Sequence, residues 1–457
     1  MPATVSAGEG PMGASFPFIR HEGAGAVVAY HRGRPVPAEE FLGEVAALAA
    51  QLPARGEVVN LCGDRYHFAV AFGAALSRGQ VSLLPPSDAP GVLDDIAGQF
   101  PGAYFLVDGA APAVSAPVLR YPEGRQTIGE APATPRFAGS QRAAVLFTSG
   151  STGQPKPHAR SWGSLVASAR AAGMAQGITR LPRAALIGTV PHQHSYGLES
   201  TVMLPLQHSL AFQAERPFYA SDVTAALEAV PRPRVLVTTP VHLRLLLAEE
   251  EVLPAADLIL SATAPLSPEL AAAAEARFGA RLWEIYGCSE VGQVAGRWPS
   301  AAAAWRCLPG MRLTQDARGT WASGELVDGE PVLLQDVIEL ETPDRFLLNG
   351  RTADLVNIAG KRTSLAYLNH QLNAIAGVRD GVFVVPDTPE SSGAGVTRLM
   401  ALVVAPGLTA ETILAALRRR VDAAFLPRPL CFVDALPRNA LGKLPREAVL
   451  ALVARAV

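Results

Sequence analysis

Residues 143–156 of the chain read AAVLFTSGSTGQPK, a short apolar run that leads into a loop of glycines and hydroxyl side chains. An apolar run of this length that ends at turn residues predicts a buried β-strand. The small side chains of the loop allow backbone N–H groups to turn toward an anion, and Lys156 adds one mobile positive charge. The stretch therefore predicts a strand followed by a phosphate-binding loop.

Two other interpretations of this loop stay open on the residues alone. An ordinary Ser/Gly surface turn has the same composition. A P-loop kinase also has a glycine-rich loop, but its lysine directly precedes Ser or Thr at the start of a helix. Here Pro155 and Pro157 flank Lys156, and prolines on both sides disfavour a helix. The pattern favours an extended flap over phosphates.

Composition excludes several classes of partner. The chain has 457 residues, of which 49% are hydrophobic, and this is ample for about two to four structural units. A formal net charge of −2 predicts neither nucleic acid nor a membrane surface as the partner. The four cysteines lie far apart, without metal-ligand or disulfide spacing. With no leader-like segment in residues 1–20 and no apolar run of membrane-spanning length, we predict a cytoplasmic protein that acts on a small molecule.

The order of apolar runs predicts an α/β fold. From residue 25 to about 140, apolar runs alternate with helical patterns, such as the four-three-four spacing of Phe41, Val45, Leu48 and Leu52. Strands separated by helices form mainly parallel sheets that helices cover on both faces. Segments 324–327 and 332–336 in turn predict short antiparallel strands.

Further apolar runs end at polar turns that belong to a recognisable series. Ligands of open α/β sheets bind beyond the carboxyl ends of strands, so these turns are expected to line a crevice. The series continues from the loop through PHQHSYGL at 191–198, SATAPL at 261–266, WEIYGCSE at 283–290, LQD at 334–336, NGR at 349–351 and LPRNALGKLPR at 436–446.

These segments, in this order, resemble the motifs of the adenylate-forming ligases, the superfamily of acyl- and aryl-CoA synthetases, peptide-synthetase adenylation domains and luciferases. Residues 360–366, GKRTSLA, more narrowly resemble small bacterial ligases of aryl-polyene and related pigment pathways. The resemblance implies that ATP and Mg²⁺ activate a carboxylic acid, aromatic or short-chain, to an acyl-adenylate. The acyl group then passes to a phosphopantetheine thiol of coenzyme A or of an acyl carrier protein.

The resemblance also assigns roles to individual residues. Lys443 would bridge the carboxylate and the α-phosphate, and His194 would lie beside the acyl carboxylate. Glu290 would supply a hard oxygen ligand for Mg²⁺. The implied ATP- and AMP-binding residues are Thr148, Ser149, Gly150, Ser151, Thr152, Gly153, Lys156, Thr263, Ala264, Pro265, Glu284, Tyr286, Gly287, Ser289, Asp336 and Arg351. The implied substrate-pocket residues are His194, Tyr196, Ser261 and Trp283.

The same resemblance implies two domains, a large adenylation domain over 1–350 and a small mobile α+β domain over 351–457, with a hinge near 351–354. The chain departs from the family pattern at Ala262 and Thr263, where glycines are usual, and at Ala353, where Asp or Lys is usual. These departures keep a second hypothesis open, a non-catalytic relative that only binds nucleotide or acyl groups. The alternative substrate is a medium- or long-chain fatty acid.

Overall fold

The computed structural model describes residues 13–124, 133–149, 155–249, 252–351, 355–358, 361–385, 399–438 and 444–456. Within these ranges, none of the helices combines the length and the apolar character of a bilayer-spanning segment. The helices are α1 (Ala38–Gln51), α2 (Arg65–Ser77), α3 (Pro90–Gln99), α4 (Trp162–Gln176), α5 (Ser195–Gly197), α6 (Leu204–His208), α7 (Ala220–Glu228), α8 (Pro240–Ala248), α9 (Pro268–Phe278), α10 (Leu365–Asn373), α11 (Ala410–Arg418) and α12 (Arg446–Ala456). A π-helical turn, Leu198–Met203, joins α5 to α6.

The strands of the described residues fall into two large sheets and several small ones. They are β1 (Ser15–Pro17), β2 (Val27–His31), β3 (Arg34–Pro37), β4 (Glu57–Asn60), β5 (Val81–Leu84), β6 (Tyr104–Val107), β7 (Val118–Arg120), β8 (Arg136–Ala138), β9 (Arg142–Ser149), β10 (Pro155–Ser161), β11 (Ala185–Gly188), β12 (Ala211–Gln213), β13 (Arg234–Thr238), β14 (Leu258–Ser261), β15 (Arg281–Cys288), β16 (Gly292–Arg297), β17 (Trp305–Cys307), β18 (Met311–Asp316), β19 (Gly319–Gly324), β20 (Val332–Leu333), β21 (Asp336–Thr342), β22 (Arg345–Arg351), β23 (Leu355–Ile358), β24 (Lys361–Ser364), β25 (Asp380–Val384), β26 (Met400–Val404) and β27 (Leu430–Phe432).

The two large sheets confirm the predicted α/β class. One has the order β10-β9-β5-β4-β6-β7, and the other runs β21-β22-β17-β16-β15-β14-β13-β11-β12-β2-β3. From β2 through β12, β11, β13 and β14 to β15 the pairs are parallel, and antiparallel strands complete both edges. The carboxyl ends of β11, β13, β14 and β15 therefore lie along one edge of the larger sheet.

Both faces of this parallel centre are buried. Ile187, Leu236 and Ile259 belong to an apolar cluster with the helices of one layer. Their neighbours in the strands, such as Leu186 and Val237, belong to a second cluster on the opposite face. Successive side chains of a strand point to opposite faces, so strands covered on both sides are apolar throughout.

Capped helices follow two of the parallel strands, β13 and β14. Thr239 follows β13 and accepts a hydrogen bond from the His242 backbone at 3.2 Å, with Pro240 at the first position of α8. Ser267 caps α9 in the same way, accepting from the Leu270 backbone at 3.1 Å ahead of Pro268. Both proline positions lack an N–H that a helix start leaves without a partner anyway. Each parallel strand thus stops at a defined turn, and these turns line one edge.

The predicted phosphate loop lies between two antiparallel strands. The strand expected over 143–147 is β9, and the extended conformation expected around the two prolines is β10, with Lys156 opposite Thr148. β10 is the edge strand of its sheet, which is where a proline without a donor N–H is tolerated. The central loop residues Gly150, Ser151, Thr152 and Gly153 lie outside the described residues.

One expected strand is wrong. Residues 325–327 form a turn, because β19 ends at Gly324, where the Glu325 and Val327 amides donate to the carbonyls of Gly310 and Gly324. Gly324 has a φ of 118°, and a β-carbon there would lie 2.0 Å from the Gly310 carbonyl oxygen, so glycine is required. The segment predicted over 332–336 is divided between β20 and the first residue of β21.

The C-terminal region has a core of its own. β25, β26 and β27 form a three-stranded sheet, and its buried residues cluster with those of α10 and α11. Thr409 caps α11 by accepting a hydrogen bond from the Thr412 backbone at 3.2 Å, as its position before an amphipathic run predicts. Arg438 and Asp380 form a two-bond ion pair at 2.6 and 2.7 Å within this region.

Candidate active site

A cleft of about 2310 Å³ opens at the carboxyl ends of the parallel strands. Its walls come from the turns after β11, β14 and β15, from the start of β21, and from C-terminal residues that include His370 and Arg438. The site residues predicted from sequence that line this cleft are His194, Tyr196, Thr263, Ala264, Pro265, Glu284, Tyr286, Gly287, Ser289, Glu290 and Asp336. These predicted residues, which span 142 positions from His194 to Asp336, therefore share one crevice.

Tyr286 and Asp336 form the best-defined polar pair of the cleft. The Tyr286 hydroxyl donates to Oδ2 of Asp336 at 2.7 Å. The phenol ring packs edge-on against Trp305 and Phe346, with centroids 5.8 and 5.7 Å away. A short hydrogen bond to a carboxylate is stronger than one between neutral groups, so the Asp336 side chain has a fixed orientation.

Asp336 also pairs with Arg351 across β21 and β22 in the strand register. Arg351 is the last residue of β22, so the two predicted nucleoside ligands are cross-strand neighbours. The sheet register thus makes backbone neighbours of two positions that are separated in the sequence.

Glu284 holds the turn at 263–266 rather than facing an open site. Its carboxylate is 3% exposed, accepts from the Leu266 backbone at 3.1 Å and forms an ion pair with Nε of Arg297 at 2.7 Å. Burial raises the pKa of Glu284, and the Arg297 guanidinium opposes that shift. Breaking this ion pair would leave the Glu284 charge buried without its partner, so the contact fixes the turn firmly to β15.

Thr263 adopts a backbone conformation that suits glycine. Its φ is +80°, in the left-handed region where a β-branched residue is strained. This is one of the two positions at which the family pattern has glycine, and the chain keeps the backbone shape although it has lost the glycine. The strain is stored at a turn that lines the cleft, where such outliers concentrate.

Tyr196 is a fixed wall of the cleft. Its hydroxyl donates to the backbone carbonyl oxygens of Thr238 at 2.9 Å and Leu260 at 3.1 Å, at the ends of β13 and β14. Burial raises the pKa of Tyr196, so the hydroxyl keeps its proton. The phenol is therefore held by the protein backbone, and the ring is what it offers to a substrate. His194 precedes it at the N-cap position of α5.

Two predicted pocket residues lie behind the lining of the cleft. Ser261 is fully buried at the end of β14, and Trp283 is 5% exposed within an apolar cluster. The Trp283 ring packs edge-on against Trp298 at 4.8 Å. A β-carbon on Gly296 would lie 2.3 Å from the indole, so the strand next to it is shaped around the tryptophan. Neither residue is among those that line the cleft.

Glu290 and His158 face one another beside β10. Oε1 of Glu290 lies 3.9 Å from Nε2 of His158, and the Glu290 side chain is 35% exposed. Burial lowers the pKa of His158, Glu290 raises it, and nearby Lys156 lowers it further. Lys156 is exposed on β10, two residues before His158.

The remaining predicted residues are placed only in part. Position 287 requires glycine, because a β-carbon there would lie 2.3 Å from the Gly292 carbonyl oxygen. Thr148 and Ser149 end β9. Lys443, the predicted catalytic residue, lies outside the described residues, as does the hinge over 352–354.

A buried charged network beside the cleft escaped the sequence analysis. Glu199 is 1% exposed, and its Oε1 lies 3.5 Å from the equally buried Arg160 of β10. Ser195 donates to Oε1 of Glu199 at 3.1 Å, and the Gln293 backbone donates to Oε2 at 3.2 Å. The network ties the helix after His194 to the strand after the phosphate loop. The one available signal was a single acid in the otherwise uncharged segment 198–206.

Comparison with known proteins agrees with this geometry. The family model described as AMP-binding enzyme matches residues 26–315. A 4-coumarate–CoA ligase of Rhodobacter capsulatus is 31% identical over 305 residues, which are 66% of this chain and 74% of that protein. A 4-coumarate–CoA ligase of Halorhodospira halophila is 30% identical over 315 residues, with the same two coverages of 66% and 74%.

Solved structures share the fold. The crystal structure of ATP-bound MatB from Rhodopseudomonas palustris superposes with a TM-score of 0.78 at 19% identity, covering 95% of this chain and 97% of that one. Together the matches confirm the superfamily that the motifs predicted, and with it an ATP-using, AMP-forming acid–thiol ligase. The family model spans well over half of the sequence, and on that ground the chain belongs to the AMP-binding enzyme family.

Proposed function

We propose that the chain activates an aromatic carboxylic acid with ATP and transfers the resulting acyl group from its adenylate to the thiol of coenzyme A. The observation that carries the proposal is the cleft, which gathers the Tyr286–Asp336 pair, Glu290 and His194 at the ends of parallel strands. Two anions, the carboxylate and the α-phosphate, must meet in this reaction. The protein contributes mainly positioning and compensation of charge.

The nucleoside would bind between two walls of the cleft. Asp336, oriented by Tyr286, would accept hydrogen bonds from the ribose hydroxyls, and Arg351 would reach the ribose or the phosphate. The turn of Thr263, Ala264 and Pro265 would lie beside the adenine. Glu284 supports that turn through the Leu266 amide and so acts on the nucleotide only indirectly. The loop over 148–156 would cover the β- and γ-phosphates.

Mg²⁺ fits the residues present. Glu290 is a partly exposed carboxylate on the cleft wall, beside the strand that leaves the phosphate loop, and hard cations prefer such oxygen ligands. The lowered pKa of His158 favours a neutral imidazole at this position, which does not compete with the ion through its own charge. When bound, the ion would neutralise phosphate charge.

Lys443 and the C-terminal region would complete the site. We assign Lys443 the contact between the carboxylate and the α-phosphate, and we place the domain boundary at 351–354. The separate apolar core of residues after 355 supports a small domain that can rotate as a unit. Rotation would remove Lys443 after adenylation and admit the thiol.

An aromatic acid is the proposed substrate class. The 4-coumarate specificity of the two relatives supports it, and so does the ring of Tyr196 held beside His194. A fatty acid is the alternative substrate, and the phosphopantetheine of a carrier protein is the alternative acceptor. Cinnamates, benzoates and fatty acids compared in one panel separate the substrate classes, and a clear preference for long-chain acids would refute the aromatic assignment.

The decisive experiment measures acid-dependent pyrophosphate release from ATP by the wild type and by Lys443→Ala. We expect release from the wild type and near-complete loss in the variant, while transfer to coenzyme A from chemically supplied acyl-adenylate persists. Pyrophosphate release that survives in the variant would contradict the role of Lys443. No release with any acid would favour the hypothesis of a non-catalytic binding protein.

A further inference from the structure

A second cavity, of about 540 Å³, shares no lining residue with the active-site cleft. Its walls include His31, Glu44, His67, Asp108 and Tyr121. These residues come from different elements: the end of β2, helices α1 and α2, and the segments that follow β6 and β7. Nothing in the proposed adenylation chemistry uses them.

Three potential metal ligands converge at this cavity. His31, Asp64 and His67 each offer one donor atom, and these atoms all lie within 4.8 Å of one another. Nε2 of His31 lies 3.3 Å from Oδ2 of Asp64. His31 is only 7% exposed, yet its Nε2 makes no aligned hydrogen bond. The 3.3 Å ion-pair contact with Asp64 satisfies this buried nitrogen only weakly, and a metal ion between the two atoms would engage both.

The remaining atoms of these side chains are already held by the protein. Oδ1 of Asp64 caps helix α2, accepting from the backbone amides of Tyr66 at 2.8 Å and His67 at 3.2 Å. This leaves Oδ2 as the oxygen directed to His31. The His31 ring stacks on Tyr66 with centroids 4.6 Å apart, and the His67 ring stacks on Tyr121 at 4.1 Å.

Asp108 completes the arrangement as an orienting group. Its Oδ2 accepts from Nδ1 of His67 at 3.0 Å, and its two oxygens also accept from the backbone amides of Gly63 and Asp64. A carboxylate that accepts from Nδ1 leaves the lone pair of the imidazole on Nε2. Metal-binding histidines characteristically donate their other nitrogen to a carboxylate in this way.

We propose that His31, His67 and Asp64 bind a divalent transition-metal ion of the Zn²⁺ class, with Asp108 as the positioning residue for His67. Two imidazoles and one carboxylate are a usual ligand set for Zn²⁺, with water at the fourth position. Metal–ligand bonds of about 2.0–2.1 Å place tetrahedral ligand atoms about 3.3–3.4 Å apart. The His31–Asp64 pair already has that spacing, and small side-chain rotations bring in the third ligand.

The local charge admits a cation. Two arginines, Arg32 and Arg34, and three carboxylates, Glu44, Asp108 and Glu123, line the cavity, and Arg34 forms an ion pair with Glu40. The bound ion would join the β2–β3 hairpin to the start of α2 and, through Asp108, to the end of β6. Such cross-linking would stabilise the N-terminal part of the chain independently of the adenylation reaction.

Without a metal, the same atoms would make a simple His–Asp ion pair, and Zn²⁺ titration separates the two cases. Metal-stripped full-length protein is titrated with Zn²⁺ against a chromophoric chelator, and its melting temperature is followed in parallel. We expect one saturable equivalent for the wild type and a melting temperature that rises with Zn²⁺, since a ligand of the folded state stabilises it. The double variant His31→Gln/His67→Gln should lose the saturable Zn²⁺ equivalent and the rise in melting temperature. Asp108→Asn should bind Zn²⁺ about 10–100-fold more weakly.

Two controls locate the ion. Glu290→Gln removes the proposed Mg²⁺ ligand, and His21→Gln removes another buried histidine, so both should keep the Zn²⁺ equivalent. If the double variant fails to fold, anomalous scattering at the zinc edge from wild-type crystals decides, with a peak expected between His31 and His67. Absence of saturable binding by the wild type, unchanged binding by a folded double variant, or an anomalous peak elsewhere would each overturn the proposal.

Discussion

Replacing Tyr286 with phenylalanine should weaken nucleotide binding while leaving the fold intact. The substitution removes one hydroxyl, which donates to Oδ2 of Asp336 at 2.7 Å. The ring remains, and with it the edge-on packing against Trp305 and Phe346. Asp336 would then lose its orientation toward the ribose while every apolar contact of the ring is kept.

The size of the effect follows from the type of hydrogen bond. A hydrogen bond to a charged group contributes about 1.5–3 kcal/mol. The cleft is open to water, which would restore part of this when the hydroxyl is absent. A remaining loss of about 1–2 kcal/mol in nucleotide binding corresponds to roughly a 5- to 30-fold rise in the KM for ATP. The kcat at saturating ATP should change little, because the role proposed for Asp336 is contact with the nucleoside rather than with the reacting atoms.

Steady-state pyrophosphate release at varied ATP concentration measures this split between KM and kcat. The matched control is Tyr104→Phe, which removes another buried hydroxyl, bonded to Oε1 of Gln80 at 2.9 Å and remote from the cleft. That variant should leave the KM for ATP unchanged. An unchanged KM in Tyr286→Phe would refute the orienting role of Tyr286, and an equal rise in both variants would show a general loss of structure.

Three further predictions concern stability, each measured by urea unfolding. Glu284→Gln should cost about 1.5–3 kcal/mol, because Arg297, whose side chain is 18% exposed, loses the carboxylate of a hydrogen-bonded charge pair, and a wild-type midpoint would contradict this. Burial lowers the pKa of His192 from 6.5 to about 3, so the folded chain binds fewer protons than the unfolded chain between these values. Through His192 the unfolding free energy should therefore fall as pH drops below 6.5, by about 2 kcal/mol at pH 5. Burial also lowers the pKa of His21 to about 4, so His192→Gln should remove only the share of His192, and an equally steep dependence in the variant would exclude His192 as a source. Thr263→Gly should stabilise the fold by about 0.5–1 kcal/mol, because it relieves about 1–2 kcal/mol of left-handed backbone strain and adds an entropy cost of about 0.5–1 kcal/mol for glycine. Destabilisation would show that the threonine side chain makes a compensating contact.

The family could be predicted from sequence because its motifs are local. A phosphate-binding loop, a Tyr-Gly pair and a glutamate three residues later each have their chemistry within a few consecutive residues. The helices and strands could be predicted for the same reason, since Thr239, Ser267 and Thr409 cap their helices through bonds that span three residues. The strand expected over 324–327 failed where a distant backbone, at Gly310, turned the chain.

The sequence by itself determined the fold class, the enzyme family and the segments that form the cleft. Only the tertiary structure decided which atoms of those segments meet. It joined Tyr286 to Asp336, used Glu284 to hold the turn at Leu266, and engaged the Tyr196 hydroxyl with two carbonyls. It also buried Trp283 in an apolar cluster, away from the lining of the cleft. The physical reason is that strand register and side-chain direction depend on partners far along the chain, and the residue types of one segment do not encode them.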